Sequence, residues 1–259
     1  MFRSFSSALF IWQIKGSYVA SDIDTTAAAG SKSNDSGVED KPFFSLSQFT
    51  TMFNEGVTYL RSKPWAPFVF FKACAALIFG AADVLNDSFS ERGDENSATA
   101  DIVMEGSSHR LGMLFGFVGI GCFIGPAVID RFTHMDQVGS LERACCWSFV
   151  LMGIGCYGLS QAKGFLWICV FTSVRSAGSS IVWIYSSLIL QKFSTSSMLG
   201  RVMAIDYALA TLSEAFSAMC AGVLQDEVGL SAEQVSFLET LVAVGTLAAW
   251  IIYLAVVRV

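Results

Sequence analysis

Two opposite charges lie deep inside long apolar runs of this chain, and they have the most chemistry to offer. Arg175 is eleven residues beyond Gly164, and Glu214 is fourteen beyond Gly200. At about 1.5 Å per helical residue, both reach the middle of an apolar layer about 30 Å thick. A charge placed there costs roughly 2.5–3.5 kcal/mol on insertion scales, so it is treated first as functional. The expectation is an Arg175–Glu214 ion pair or coupling pair, with a purely structural salt bridge as the plain alternative. A carboxylate that meets water from one side at a time can take a proton on one side and release it on the other. Asp206, six residues beyond Gly200, falls in the third of its run nearest that end. Asp83 falls in the outer third of its own run, with Asn86 close by and Asp87 one turn further on. Lys72 is placed to snorkel to the nearer headgroups, and Asp87 to reach the farther ones.

A second group sits where apolar runs end. Pro126, Asp130 and Arg131 close the run that begins at Leu111, and Gly200 and Arg201 open the one holding Asp206. An Asp beside an Arg at a helix end can bridge to the next helix and act as a gate. An interfacial Arg that only fixes topology is the simpler reading. Gly119-Ile-Gly121-Cys-Phe-Ile-Gly125 loosely matches a dinucleotide-binding pattern, but such a pattern needs a strand, a turn and a solvated helix. Here the glycines lie in an uncharged run, so they read as helix-packing notches: Gly112, Gly116, Gly121 and Gly125 at four- or five-residue intervals, plus Gly119.

Enzymatic signals are poor. The two histidines, His109 and His134, fall in loops on opposite sides, and no H-E-x-x-H, paired C-x-x-C or phosphate-binding loop occurs. The reading is not an enzyme, and no nucleotide or metal cofactor is implied. Seven scattered cysteines do not form the framework of a small secreted disulfide scaffold. A net charge of −6 offers no basic stripe for nucleic acid.

These residues need helices that cross a bilayer to position them. Of the 259 residues, 53% are hydrophobic and 15% charged, against about 45–50% and about 25% in soluble domains. Leu111 to Ile129, Ala144 to Ala162 and Leu241 to Val257 carry no charge. Ala66 to Phe89, Gly164 to Leu190 and Val202 to Gln225 are apolar with embedded charges. The fold class expected is all-α: a polytopic bundle with six spans near 66–88, 110–130, 143–161, 164–190, 200–225 and 236–257. Residues 63–259 hold that bundle. Residues 17–62 read as a cytoplasmic linker, too polar over 21–41 to build a core, with an amphipathic surface helix at 45–61. Residues 1–16 read as the remnant of a preceding span. Basic residues gather on one set of loops (Lys32, Lys41, Arg61, Lys63, Arg131, Arg143, Lys192, Arg201, Arg258) and acidic ones on the other. Both termini are therefore expected in the cytoplasm, of a plasma or organelle membrane. A rival reading makes the first twenty residues a signal peptide, and glycosylation of Asn34 would support it.

The segments together resemble the carboxy-terminal half of a major facilitator superfamily transporter of the bacterial-exporter kind, over roughly residues 45–257. Tyr59-Leu-Arg-Ser-Lys-Pro64 resembles the lead into that family's seventh helix, and Gly80 to Asn86 its outer part. Leu111-Gly112 through Gly125-Pro126 looks like the eighth helix. Pro126-x-x-x-Asp130-Arg131 is similar to the cytoplasmic G-x-x-x-D-R motif, with Pro126 in the Gly place and Thr133 to Leu141 where a glycine and basic residues follow in the family. Leu190-Gln191 and Gly200-Arg201-Val202-Met203 resemble the turn between the tenth and eleventh helices. Phe5 to Phe10 looks like the end of a sixth helix. The resemblance implies secondary active transport of a small solute by alternating access, the solute sitting near the midplane between two six-helix bundles. It implies that Asp83, Asn86, Arg175, Glu214 and Asp206 face the solute or coupling ion, and that Pro126, Asp130, Arg131, Gly200 and Arg201 serve the gate. The expected partners are the lipid bilayer, a small solute and a second six-helix bundle or second copy. The competing class is a non-transporting scaffold or assembly partner built on the same bundle.

Overall fold

A computed structural model describes residues 46–91, 107–134 and 136–257. The expected remnant helix at 1–16, the linker up to residue 45 and the sequon at Asn34 lie outside the described residues. Among the described residues every regular element is helical and none is a strand, as the apolar pattern predicts.

The described residues begin with α1, Leu46–Arg61, the amphipathic helix expected at 45–61. Its Gly56 and Leu60 are buried while Met52, Phe53 and Glu55 face outward. Pro67 then sits in the opening positions of a short 3-10 turn at Ala66–Val69, where the absent N–H costs nothing. The first span continues as α2 (Phe70–Phe79) and α3 (Ala82–Glu91). Five long helices follow: α4 (Ser107–Asp130), α5 (Val138–Gln161), α6 (Phe165–Phe193), α7 (Ser196–Asp226) and α8 (Ala232–Val257). Among the described residues six helices are thus long and apolar enough to cross a membrane, and together they form an all-helical membrane bundle.

Several starts differ from expectation. α4 begins at Ser107, α5 at Val138, α7 at Ser196 and α8 at Ala232, each three to five residues early. Counting apolar residues finds the part of a helix that lies in hydrocarbon. The polar first turns, such as Ser107-Ser-His-Arg110, continue the same helix into the headgroup layer. α8 also carries a local start signal. The Gln234 side-chain oxygen accepts from the Ser231 N–H at 2.9 Å, and the Ser231 hydroxyl accepts from the Gln234 N–H at 3.4 Å, a reciprocal capping box. The chain enters it through Gly229, whose φ of +73° glycine adopts without steric cost.

α6 packs most extensively against α5 and α4, α5 against α8, and α2 against α7. Glycines set the closest approaches. A Cβ on Gly125 would lie 2.6 Å from the Ala177 carbonyl oxygen, and one on Gly155 would lie 2.6 Å from the Arg175 nitrogen. At Gly80, between α2 and α3, a Cβ would lie 2.6 Å from the Glu214 oxygen. At the Arg61 end of the bundle, aromatic rings knit the helices together. Phe71 stacks on Trp250 at 3.8 Å between centroids, and Trp65 on Phe193 at 5.7 Å. Along α6, one apolar cluster includes Cys169 and a second begins at Ile181. The polar residues Thr172, Arg175, Ser176 and Ser179 occupy the stretch between them.

Candidate functional site

Arg175 projects from the middle of α6 and is fully buried. α5 comes close beside it because Gly155 has no side chain to hold the backbones apart. One guanidinium nitrogen donates to the Asn86 amide oxygen of α3 at 3.1 Å. Another lies 3.8 Å from the Glu239 carboxylate of α8, and the guanidinium stands over the Phe79 ring at 5.6 Å. The Cys156 thiol of α5 donates to the same carboxylate at 3.5 Å. Four helices therefore meet at one polar knot inside the spans.

This corrects the expected pairing. Arg175 pairs with Glu239 and not with Glu214. Glu214 is half-buried on α7, where its backbone abuts Gly80. In the sequence Glu239 stands just before the last uncharged run, which opens at Leu241. Since α8 begins at Ala232, Glu239 lies two helical turns inside, about 10 Å along the axis.

A second knot lies nearer the Arg61 end. Lys72 of α2 forms an ion pair with Asp206 of α7, both side chains being 0% exposed. The ammonium also donates to the Ser187 hydroxyl at 3.0 Å. It lies 5.0 Å from the Trp183 ring centroid and 4.3 Å from that of Tyr207. The snorkelling expected of Lys72 is overturned, because a buried carboxylate and two ring faces hold the ammonium where it is.

The remaining candidates are more scattered. Asn86 joins the Arg175 knot, but Asp83 and Asp87 face outward from α3. Pro126 is half-buried inside α4, and Asp130 and Arg131 are exposed at its end, beside a pocket of about 630 Å³ between α4 and α5 lined by Thr133, His134 and Arg143. Gly200 is exposed. Arg201 forms a 3.0 Å salt bridge to Glu55 of α1, so it ties the surface helix to α7.

Compared with protein-family models, curated proteins and solved structures, the chain matches none.

Proposed function

We propose that this chain is one six-helix bundle of a secondary active transporter of the major facilitator type, moving a small solute by alternating access. The observation that supports it is a pair of buried, cross-helix charge knots with hydrogen-bonding capacity left over. Arg175 Nε and Nη1, Asn86 Nδ2, Glu239 Oε1 and Asp206 Oδ1 are buried and make no hydrogen bond among the described residues. Polar groups left short of partners in a low-dielectric interior are costly, and within a span they mark solute, ion or proton paths. Lys72–Asp206 and Arg175–Glu239 each join different helices, so breaking and remaking them is a means of switching between two packings. The reading has no catalytic step. It places both termini in the cytoplasm, following the loop charges, and it requires a second six-helix bundle to complete the path.

One observation favours the alternative of a static scaffold: Arg175, Asn86 and Glu239 are all closed off in this conformation. Cys156, hydrogen-bonded to Glu239, reports on the difference. Native membranes would be treated with a membrane-impermeant maleimide from one face or the other, and Cys156 occupancy read by peptide mapping against detergent-unfolded protein. Alternating access predicts reaction from both faces. Reaction from neither, or from one alone, sinks it.

A further inference from the structure

The second knot has the construction of a receptor for a cation. An ammonium offers three N–H donors and a positive charge. Around Lys72 Nζ stand one carboxylate oxygen of Asp206, the Ser187 oxygen at 3.0 Å, and the faces of Trp183 and Tyr207 at 5.0 and 4.3 Å. Ser187 is set up as an acceptor, because its own proton goes to the Trp183 carbonyl at 2.8 Å. Trp183 and Tyr207 hold each other at 5.7 Å between centroids, inclined by 44°. Aromatic faces attract cations, most strongly when desolvated, and a carboxylate in the same box supplies a charge-assisted hydrogen bond. The second Asp206 oxygen, Oδ1, is buried and makes no hydrogen bond among the described residues, so the box has acceptor capacity beyond what Lys72 uses. Tyr207 is 49% exposed on the outer face of α7. One wall of the box is therefore a single ring at the surface of the bundle, whereas Lys72 approaches from within it on a flexible stem.

We propose that the box formed by Asp206, Ser187, Trp183 and Tyr207 is a binding site for a small organic ammonium, and that Lys72 is a tethered stand-in for that cation. When Lys72 withdraws, Asp206 is left as an uncompensated buried charge, a costly state that an incoming ammonium relieves. The site thus selects protonated amines and couples their arrival to the movement of α2 against α7. This deepens the transport reading by naming its substrate class, and the coupling rests on that reading, whereas the binding site itself does not.

The test uses methylammonium as the probe and thermal unfolding of the full chain in detergent micelles as the readout. Lys72→Ala empties the box of its own cation. Methylammonium is expected to raise the unfolding midpoint of Lys72→Ala at concentrations at least about tenfold below those acting on wild type, since the tethered amine no longer competes. Sodium at equal ionic strength should not reproduce the effect, and Lys72→Ala/Asp206→Asn should lose it. If Lys72→Ala fails to fold alone, recovery of folded protein when it is produced with methylammonium, but not with sodium, is the same positive result. Equal responses in all three proteins, an equal effect of sodium, or no folded Lys72→Ala with methylammonium present would each overturn the site. Failure of the box leaves Cys156 labelling unaffected, so the two proposals fall separately.

Discussion

Arg175 is fully buried among polar partners from other helices, and the cost of disturbing it follows from those surroundings. It is the largest fully buried residue among the described residues and is held by Asn86 and Glu239 from two other helices. Removing one partner of a buried pair leaves a bare charge in a low-dielectric interior, a loss of about 3–5 kcal/mol, whereas replacing both with apolar groups is often neutral or better. Glu239→Leu should therefore lower the unfolding midpoint in micelles strongly, and Arg175→Met/Glu239→Leu should recover most of that loss. A double variant no more stable than Glu239→Leu would show that the pair is not what holds these helices. The sequence already placed Arg175 deep within its span, because depth follows from counting residues, but it put Asn86 beside Asp83 in the outer third of another run and not with Arg175. It misassigned the partner, because depth says nothing about which helices are neighbours. The other pair shows in the spacing of its charges. Lys72 is six residues beyond Ala66 and Asp206 six beyond Gly200, so opposite charges stand at matching depth on adjacent helices.

On the element scale, α4 shows how a glycine-rich helix divides its faces. At about 100° per residue, Gly112, Gly116 and Gly119 share one face, and Gly121 and Gly125 point roughly the opposite way. The second pair meets α6, where a Cβ on Gly121 would collide with the Ser173 carbonyl, while a Cβ on any of the first three would have nothing within 4 Å among the described residues. The Ser173 hydroxyl then donates to the Phe117 carbonyl at 2.6 Å, bonding the two helices across that contact. Gly121→Ala should cost about 1–3 kcal/mol by overpacking against backbone that cannot yield. Gly116→Ala should stay within about 0.5 kcal/mol of wild type. Unfolding midpoints of the two variants, measured side by side, check this; a loss at Gly116 equal to that at Gly121 would mean that the Gly116 face is packed as tightly as the Gly121 face. Tight packing of α4 was legible in the run of glycines, but only one of the two faces makes it. The six spans and the amphipathic α1 were legible because lipid demands long apolar stretches and a surface helix demands one apolar face. Helix starts were less so, since polar first turns are helical without being apolar.

Across the whole molecule, burial is uneven in a way that bears on assembly. In its most apolar stretch the first span is 67% buried, against 17% for α4 and 17% for α7. The faces left open on these two helices carry more than lipid-compatible side chains. Tyr207 forms the outer wall of the ammonium box on α7, and the Gly112, Gly116 and Gly119 notches open from α4. Small residues on a membrane helix favour close approach of another helix, since lipid itself provides no hydrophobic drive for association. Under the transport reading a single bundle is also insufficient, because a central path needs protein on both sides of the solute. The working particle should accordingly contain two bundles, whether supplied by one polypeptide or by two. An antibody against residues 21–41, applied to native membranes before and after brief crosslinking, gives the mass directly. A species near twice the 28.0 kDa of this chain is expected, either at once or after crosslinking. A species that stays at 28.0 kDa under both conditions would leave the charge knots as static struts and return the protein to the scaffold class.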